Sequence, residues 1–497
     1  MAILGLDIGT TGCKATLFSE KGLVIGYAYQ EYPIESPQKG WFELNPATVW
    51  QAVRAVIRKS RSENGTEITC VCTSSLGEAF VSLDENGAEL CGSILYLDER
   101  GQQECNEIIN TLGAANIMQS TGHAPSGMYS LSKLLWLKHH QPETYRNTRR
   151  LHFFGDYILY KLTGEHVTDY SLAARSMCFD IAKKQWDSKI LGAFELDEAI
   201  FPAARVAGSV VGRVRRDAAL ETGLSTNTPA VLGAHDQIMC ALGAGALACG
   251  EAVNSIGTVD CVTPVFSGAI LTQEMMGRGY ACVPYLFENT YVTYAFSMTG
   301  GSLLRWFRDT FARLDAAQAE RDGRQIYTLL DESMPEEPTT LITLPHFAGS
   351  PIPNRDAQAK GAILNLSFDT RREDIYRSCM EGETFEMRNN LEYVKRNGIS
   401  INALRTVGGG SRSEKFMQIR ADILGVPILT MECEEAGTLG TGILAGTSTG
   451  IFPSLQEACK SLVRVKKVFE PNAGNKDFYQ SQFEKYMSLY ERLKAVR

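Results

Sequence analysis

One short segment occurs twice in this chain. Ile8-Gly9-Thr10-Thr11-Gly12-Cys13-Lys14-Ala15-Thr16-Leu17-Phe18 is echoed by Ile256-Gly257-Thr258-Val259-Asp260-Cys261-Val262-Thr263-Pro264-Val265-Phe266, with five of eleven positions identical. The copies stand 248 residues apart, almost half of the 497-residue chain. Each reads as a strand, a Gly-Thr turn and a second strand. Ala2 to Ile8 is an apolar run, and from Cys13 to Leu17 small or apolar residues alternate with polar ones at a period of two. A chain of this length has room for two or three domains. The repeat favours two related halves, each presenting a turn of bare backbone, with generic turn chemistry as the plain alternative. The 45 glycines exceed the usual share of roughly 7%, as turns that approach something closely require.

Several function classes are excluded at this stage. The Gly/Thr loop joins two strands, whereas a Walker loop or a dinucleotide fingerprint needs a helix directly after its glycines. No G-x-x-x-x-G-K-[ST] string occurs. A net charge of −8 argues against a nucleic-acid or anionic-membrane surface. Hydrophobic residues at 44% and charged residues at 21% are those of a globular protein. Thirteen scattered cysteines read as reduced thiols, with Cys70 and Cys72 a buried strand pair rather than half a zinc site. Asp7 comes too early for a signal peptide, and Gln237 to Gly250 falls short of the roughly 18 residues needed to span a bilayer. A cytoplasmic location is expected.

Elements alternate along the chain. Leu23 to Tyr29, Thr66 to Ser74 and Ala79 to Leu83 read as strands. Glu104 to Leu112 and Leu131 to His139 read as helices. Asn45-Pro46 reads as a helix start, with Val49, Trp50, Val53, Val56 and Ile57 on one face. The mixture predicts an α/β protein.

The residues that carry chemistry cluster at the turns. Adjacent Gly and Thr residues offer N–H groups and hydroxyls to phosphate oxygens, and Lys14 adds a point charge; each turn also reads as a plain tight hairpin. Asp7, at a strand end, is placed either to orient a magnesium ion through its waters or to cap its own turn. Asp236, where the apolar Pro229–Ala234 run ends and a helix from Gln237 to Ala248 begins, is either a general base or an N-cap. His235 beside it reads as supportive. Two further glycine clusters, Thr406 to Ser413 and Glu435 to Gly442, each precede a helix-like stretch and would let backbone approach a flat or anionic ligand. Gly243-x-Gly245-x-x-Ala248 lies inside a helix pattern and reads as close helix packing.

Taken in order, these landmarks resemble the FGGY carbohydrate kinases over nearly the whole chain. D-I-G-T-T-G-C-K (Asp7 to Lys14) resembles the family's first phosphate motif, G-A-H-D (Gly233 to Asp236) its catalytic-aspartate motif, and S-I-G-T (Ser255 to Thr258) its second phosphate motif. T-G-G-S (Thr299 to Ser302) and G-G-G-S-R-S (Gly408 to Ser413) resemble its nucleotide-binding turns, and Pro351 to Gly361 is also family-like. The resemblance implies two actin-like, ribonuclease-H-like ATPase domains, 1–246 and 247–497, with a catalytic cleft between them. It implies ATP and Mg²⁺ as cofactors, Asp236 as the base, and Asp7 and Asp236 nearest the metal. Thr10, Thr11, Gly12, Lys14, Gly257 and Thr258 would handle phosphates, and Gly300, Gly301, Gly409, Gly410 and Ser413 the nucleotide.

On the sugar side the resemblance points to Gly77, Glu78, Tyr96 and Asp98, together with Asp236. Xylulokinases carry Met-His where this chain has Gly77-Glu78, and glycerol kinases carry Arg-Glu; Asp98 with Arg100 resembles the N-D-x-R element of xylulokinases. The expected activity is phosphorylation of a terminal hydroxyl of a small sugar or polyol, foremost a ketopentose such as xylulose. Autoinducer-2 precursor, glycerol or erythritol, gluconate, L-ribulose and fuculose are the alternatives. A catalytically idle sugar or ATP sensor is the reading from another class, and such a sensor should have lost Asp236. The expected partner is the small molecule, without nucleic acid or membrane; a homodimer stays open.

Overall fold

Two mixed sheets, one in each half, share one topology. In the first half the strands are β1 (Ala2–Ile8), β2 (Gly12–Ser19), β3 (Val24–Glu31), β4 (Ile68–Ser75), β5 (Val210–Arg213) and β6 (Pro229–His235), in the order β5-β6-β4-β1-β2-β3. The helices that matter here are α1 (Pro46–Ser60), α2 (Tyr170–Ala174) and α3 (Asp236–Gly243). The second half contributes β7 (Glu251–Ile256), β8 (Asp260–Ser267), β9 (Val283–Pro284), β10 (Thr290–Val292), β11 (Ala295–Ser297), β12 (Ala403–Val407), β13 (Ile428–Met431) and β14 (Val465–Phe469). Their order is β9-β10-β8-β7-β12-β13-β14, with β11 also on β8. Its helices are α4 (Gly301–Phe311), α5 (Arg372–Arg396), α6 (Glu414–Leu424) and α7 (Ala436–Ser448). This computed structural model describes residues 2–61 and 66–495; the outermost ends of the two expected halves, at 1 and at 496–497, lie outside them.

The correspondence is strand by strand. β1 pairs antiparallel with β2 and parallel with β4, β4 pairs parallel with β6, and β5 closes the edge antiparallel. β7 repeats this with β8, β12, β13 and β14. The repeated segment is therefore the hairpin at the centre of each sheet. The turns differ by one residue: Ile8 faces Cys13, but Ile256 faces Asp260. The matching cysteines consequently fall out of register, Cys13 against Ile8 and Cys261 against Ser255.

Local chemistry sets the elements. Asn45 caps α1 by accepting the Ala47 and Thr48 N–H groups, and Val49, Trp50, Val53, Val56 and Ile57 are buried as the periodicity predicts. Two expectations are corrected. The helix after His235 ends at Gly243 instead of Ala248, because Gly245 turns the chain at φ 79°. The glycines at 437–442 lie inside α7 instead of before it.

α7 belongs to the second half by sequence but rests on the first sheet. Gly5 of β1 lets it approach: a Cβ there would lie 2.6 Å from the Thr438 carbonyl oxygen. α7 also crosses α3 at backbone distance, where a Cβ on Gly243 would lie 2.7 Å from the Gly440 nitrogen. The expected close packing at Gly243 is thus a contact between halves. A single apolar cluster containing Ile3, Phe18, Met239, Leu439 and Ile443 runs across this junction. No described helix is long and apolar enough to cross a membrane.

Candidate active site

The first turn stands where β1 leaves the sheet. Asp7 lies opposite Lys14 on β2 and Ser74 on β4, and the Ser74 hydroxyl donates to Asp7 Oδ1 at 3.2 Å. Burial raises the Asp7 carboxyl above the usual range, against the opposing pull of Lys14 and Ser74. Gly9 N–H donates to the Gly12 carbonyl at 2.9 Å and closes the turn. Thr11 is exposed, and the Thr10 side chain lies beside the phenol of Tyr96, a residue 37% exposed. Gly12 is buried, and a Cβ there would lie 2.8 Å from the Gln30 carbonyl, so close strand packing accounts for this glycine. Lys14, expected to meet phosphate, pairs with Glu435 at the start of α7 at 2.7 Å, a bond between the halves.

At the second turn Gly257 and Thr258 are exposed, and a Cβ on Gly257 would meet nothing within 4 Å. The turn is braced from behind. Gly301 N–H donates to the Gly257 carbonyl at 2.8 Å and Ser302 N–H to the Thr258 carbonyl at 3.2 Å. A Cβ on Gly300 would lie 2.8 Å from Val259. Gly300 and Gly301, expected among the nucleotide contacts, therefore build the turn, and the Gly301 N–H is not free for a ligand. Gly408 (φ 87°) and Gly410 press on Ile256 in the same way, whereas Gly409 faces open space. Ser413 caps α6 by accepting the Phe416 N–H at 3.1 Å, which engages its oxygen in structure.

Beneath this turn Asp260 and Arg420, neither with exposed side-chain surface, form an ion pair at 2.7 Å, and Asn254 donates to Asp260 at 2.6 Å. Thr299 donates to Glu383 of α5 at 2.9 Å. Burial, then the charge of Asp260, holds the Glu383 carboxyl well above its ordinary range. Arg420→Met is expected to cost about 3–5 kcal/mol, because it leaves Asp260 buried without its counter-charge. Differential scanning calorimetry checks this as a lowered Tm.

Asp236 is the first residue of α3, directly after β6, and His235 holds the cap position without a capping bond; the N-cap reading of Asp236 is therefore corrected. Burial first, and the nearby Asp7 charge second, push its carboxyl up to about 7, against Gln237 and Arg175. Its side chain is still 37% exposed, and Oδ1 lies 3.3 Å from His235 Nε2 without a hydrogen-bond partner among the described residues. The His235 ring is held neutral, well below its usual pKa, by burial. His235 is itself placed from two sides: its N–H donates to Ser171 Oγ at 3.0 Å and Nδ1 meets the Tyr294 hydroxyl at 3.1 Å. Among the described residues no three His, Cys, Asp or Glu side chains are placed to hold a metal. Magnesium asks for less, one or two carboxylates and its own waters. The unpartnered Asp236 oxygen, and Asp7 with Oδ2 turned toward Gly437, fit it.

On the sugar side, Glu78 is buried and ion-paired with Arg175. Asp98 departs from expectation. Its side chain has no exposed surface and accepts from Phe42 N–H, Arg100 N–H and the Arg100 guanidinium. Arg100 in turn pairs with Glu43 and stacks on Trp41 at 4.0 Å. Asp98 is a structural anchor, with nothing left to offer a ligand. Arg175 and Tyr294 were not singled out by the sequence, and Glu435 was marked only as the first residue of a glycine cluster, because folding alone brings these side chains to the cleft.

Residues 2–243 match the FGGY family of carbohydrate kinases, N-terminal domain, and residues 252–449 match its C-terminal domain. The xylulose kinase of Bacillus subtilis (strain 168) is 27% identical over 99% of this chain and 97% of its own. The glycerol kinase of Thermococcus gammatolerans is 29% identical over 94% and 93%. The crystal structure of gluconate kinase from Lactobacillus acidophilus superposes with a TM-score of 0.89 at 24% identity, covering 99% of this chain and 98% of that one, a likeness of fold.

Proposed function

The chain belongs to the FGGY family of carbohydrate kinases, ATP-dependent kinases of small sugars or polyols, and from that premise we propose that its acceptor is a ketopentose such as xylulose, phosphorylated on a terminal hydroxyl. In this reading 1–246 is the sugar-side domain and 247–497 the nucleotide-side domain. The observation that carries it is Asp236: a carboxylate directly after β6, near enough to Asp7 to feel its charge, pushed up to about 7 and unpartnered at Oδ1. A base of that pKa takes a proton from a hydroxyl near neutral pH. Neutral His235 beside it adds no competing positive charge and, braced by Ser171 and Tyr294, orients the strand end.

Thr10, Thr11 and Thr258 offer hydroxyls, and Gly257 and Gly409 leave open room for phosphates and nucleotide to approach the backbone. Asp7, with Asp236 beside it, would hold a hydrated magnesium ion that neutralises phosphate charge. The remaining catalysis is positioning, with closure of the halves keeping water from acting as acceptor. A coupled assay of ADP release across ketopentoses, polyols, gluconate and autoinducer-2 precursor tests the proposal. Release with a ketopentose in excess of the other acceptors is expected. If every acceptor leaves ADP release at the ATP-only background, the idle-sensor reading replaces it.

A further inference from the structure

Glu78 sits in an uncommon backbone. Its φ is 62°, and Ala79 N–H donates to the Gly77 carbonyl at 2.7 Å across a three-residue turn. Such turns are rare and strained for a residue with a side chain, and strain of this kind collects at ligand sites. Two contacts hold it: the Ser130 hydroxyl donates to the Glu78 carbonyl, and Arg175 seizes the carboxylate.

Arg175 follows α2, and that five-residue helix links it to Asp236. Asp169 caps the helix start, Ser171 accepts the His235 N–H, and Arg175 leaves from the other end. Gly77 makes room for it: a Cβ there would lie 3.0 Å from the His235 ring and 3.2 Å from Arg175 Cγ. The guanidinium lies between Tyr129 and Tyr294, 5.4 Å from each ring, a desolvated setting in which cation–π attraction is strong. Arg175 Nε has no hydrogen-bond partner among the described residues, and 10% of its side chain is exposed. An orphaned donor of this kind, close to the proposed base, is a site awaiting an acceptor.

We propose that Arg175, paired with Glu78, reads the acceptor's hydroxyls remote from the phosphorylated one and selects an uncharged polyhydroxy compound over a sugar acid. The inference rests on the kinase reading above. A guanidinium donates in a fixed fork and a carboxylate accepts, so the pair recognises hydroxyls that do both. Its charges cancel, so the pair offers a carboxylate-bearing acceptor no net positive charge to bind, while the buried Glu78 carboxylate stands against it. A site with the guanidinium alone would invite that acceptor instead.

The test uses D-xylulose, glycerol and D-gluconate as probes on the full chain, Arg175→Met, Arg175→Lys and Glu78→Gln. A neutral acceptor is expected to outperform gluconate in the unaltered protein. Arg175→Met should raise its KM by about tenfold or more, the loss expected for a charged hydrogen-bond partner, while KM for ATP is retained. Arg175→Lys should recover only part, since an ammonium lacks the fork. Glu78→Gln, which keeps volume and frees the Arg175 charge, should shift the gluconate-to-neutral ratio of kcat/KM upward by about tenfold or more. An acceptor KM unmoved by Arg175→Met, or an unmoved ratio in Glu78→Gln, overturns the inference. If Arg175→Met does not fold, Glu78→Gln decides. Absence of ADP release with every acceptor refutes the kinase reading. Calorimetric binding of the same probes then decides the inference separately: neutral binding weakened in Arg175→Met supports it, and equal binding or none overturns it.

Discussion

Asp236→Asn is expected to bind ATP and yet lower kcat by about 10²–10⁴-fold, the range lost with a positioned general base. The amide keeps the shape at the start of α3 but cannot take a proton. The same substitution separates catalysis from stability. Asp236 is raised in the folded protein to about 7, whereas an unfolded chain releases that proton near about 3.9. Between these values the folded state holds more protons, so stability falls as pH rises, and the deficit is complete above about 7. Asn carries no such deficit. The variant, without magnesium or nucleotide, should therefore be the more stable protein at pH 8, with the difference vanishing toward pH 4. With 37% of the side chain exposed, solvent screening limits the gain to about 1 kcal/mol. Parallel measurement of kcat and of Tm at both pH values checks the two claims; near-normal turnover would remove Asp236 as the base.

Gly440→Val is expected to do the opposite, destroying stability without removing any group that reacts. Gly440 stands where α7 crosses α3, and a Cβ there would lie 2.8 Å from the Met239 carbonyl carbon and 3.1 Å from the Gly243 nitrogen. Both neighbours are backbone, which cannot swing aside as a side chain would. The helices must separate, and the apolar cluster of Ile3, Phe18, Met239, Leu439 and Ile443 that joins the halves opens with them. A loss of about 3 kcal/mol or more follows, at the upper end of overpacking costs. Gly409→Ala is the informative contrast. Its Cβ would meet nothing within 4 Å, so Tm should hold while ATP affinity falls. Chemical denaturation and nucleotide titration of both variants measure this; an unchanged Tm in Gly440→Val would show that α7 and α3 tolerate separation.

How much of this was legible depended on the range of the physics. Asn45-Pro46, the buried stripe of α1 and the two strand-turn-strand segments are local, and each appears where periodicity and capping place it. Gly300, Gly301 and Gly410 were legible as glycines that something approaches, but not as to what approaches them. The backbone of Val259 and Gly257 meets Gly300 and Gly301, and the Ile256 side chain meets Gly410, where a ligand was expected. Asp98 shows the same gap for charge. A carboxylate in a family-like motif looks available until Arg100 and Phe42 fill its lone pairs.

Along the chain alone, the repeat favoured two related halves over a coincidence of turn chemistry, because a strand, a turn and a strand are specified by sequence neighbours. The apolar runs before them put the Gly-Thr turns and Asp236 at strand ends. Only the tertiary structure decided that the halves share a core through α7, that Lys14 meets Glu435, and that Arg175 reaches Glu78 over Gly77. These contacts join residues far apart in sequence, and their energies come from burial, charge pairing and close backbone approach, which exist only after the chain has packed.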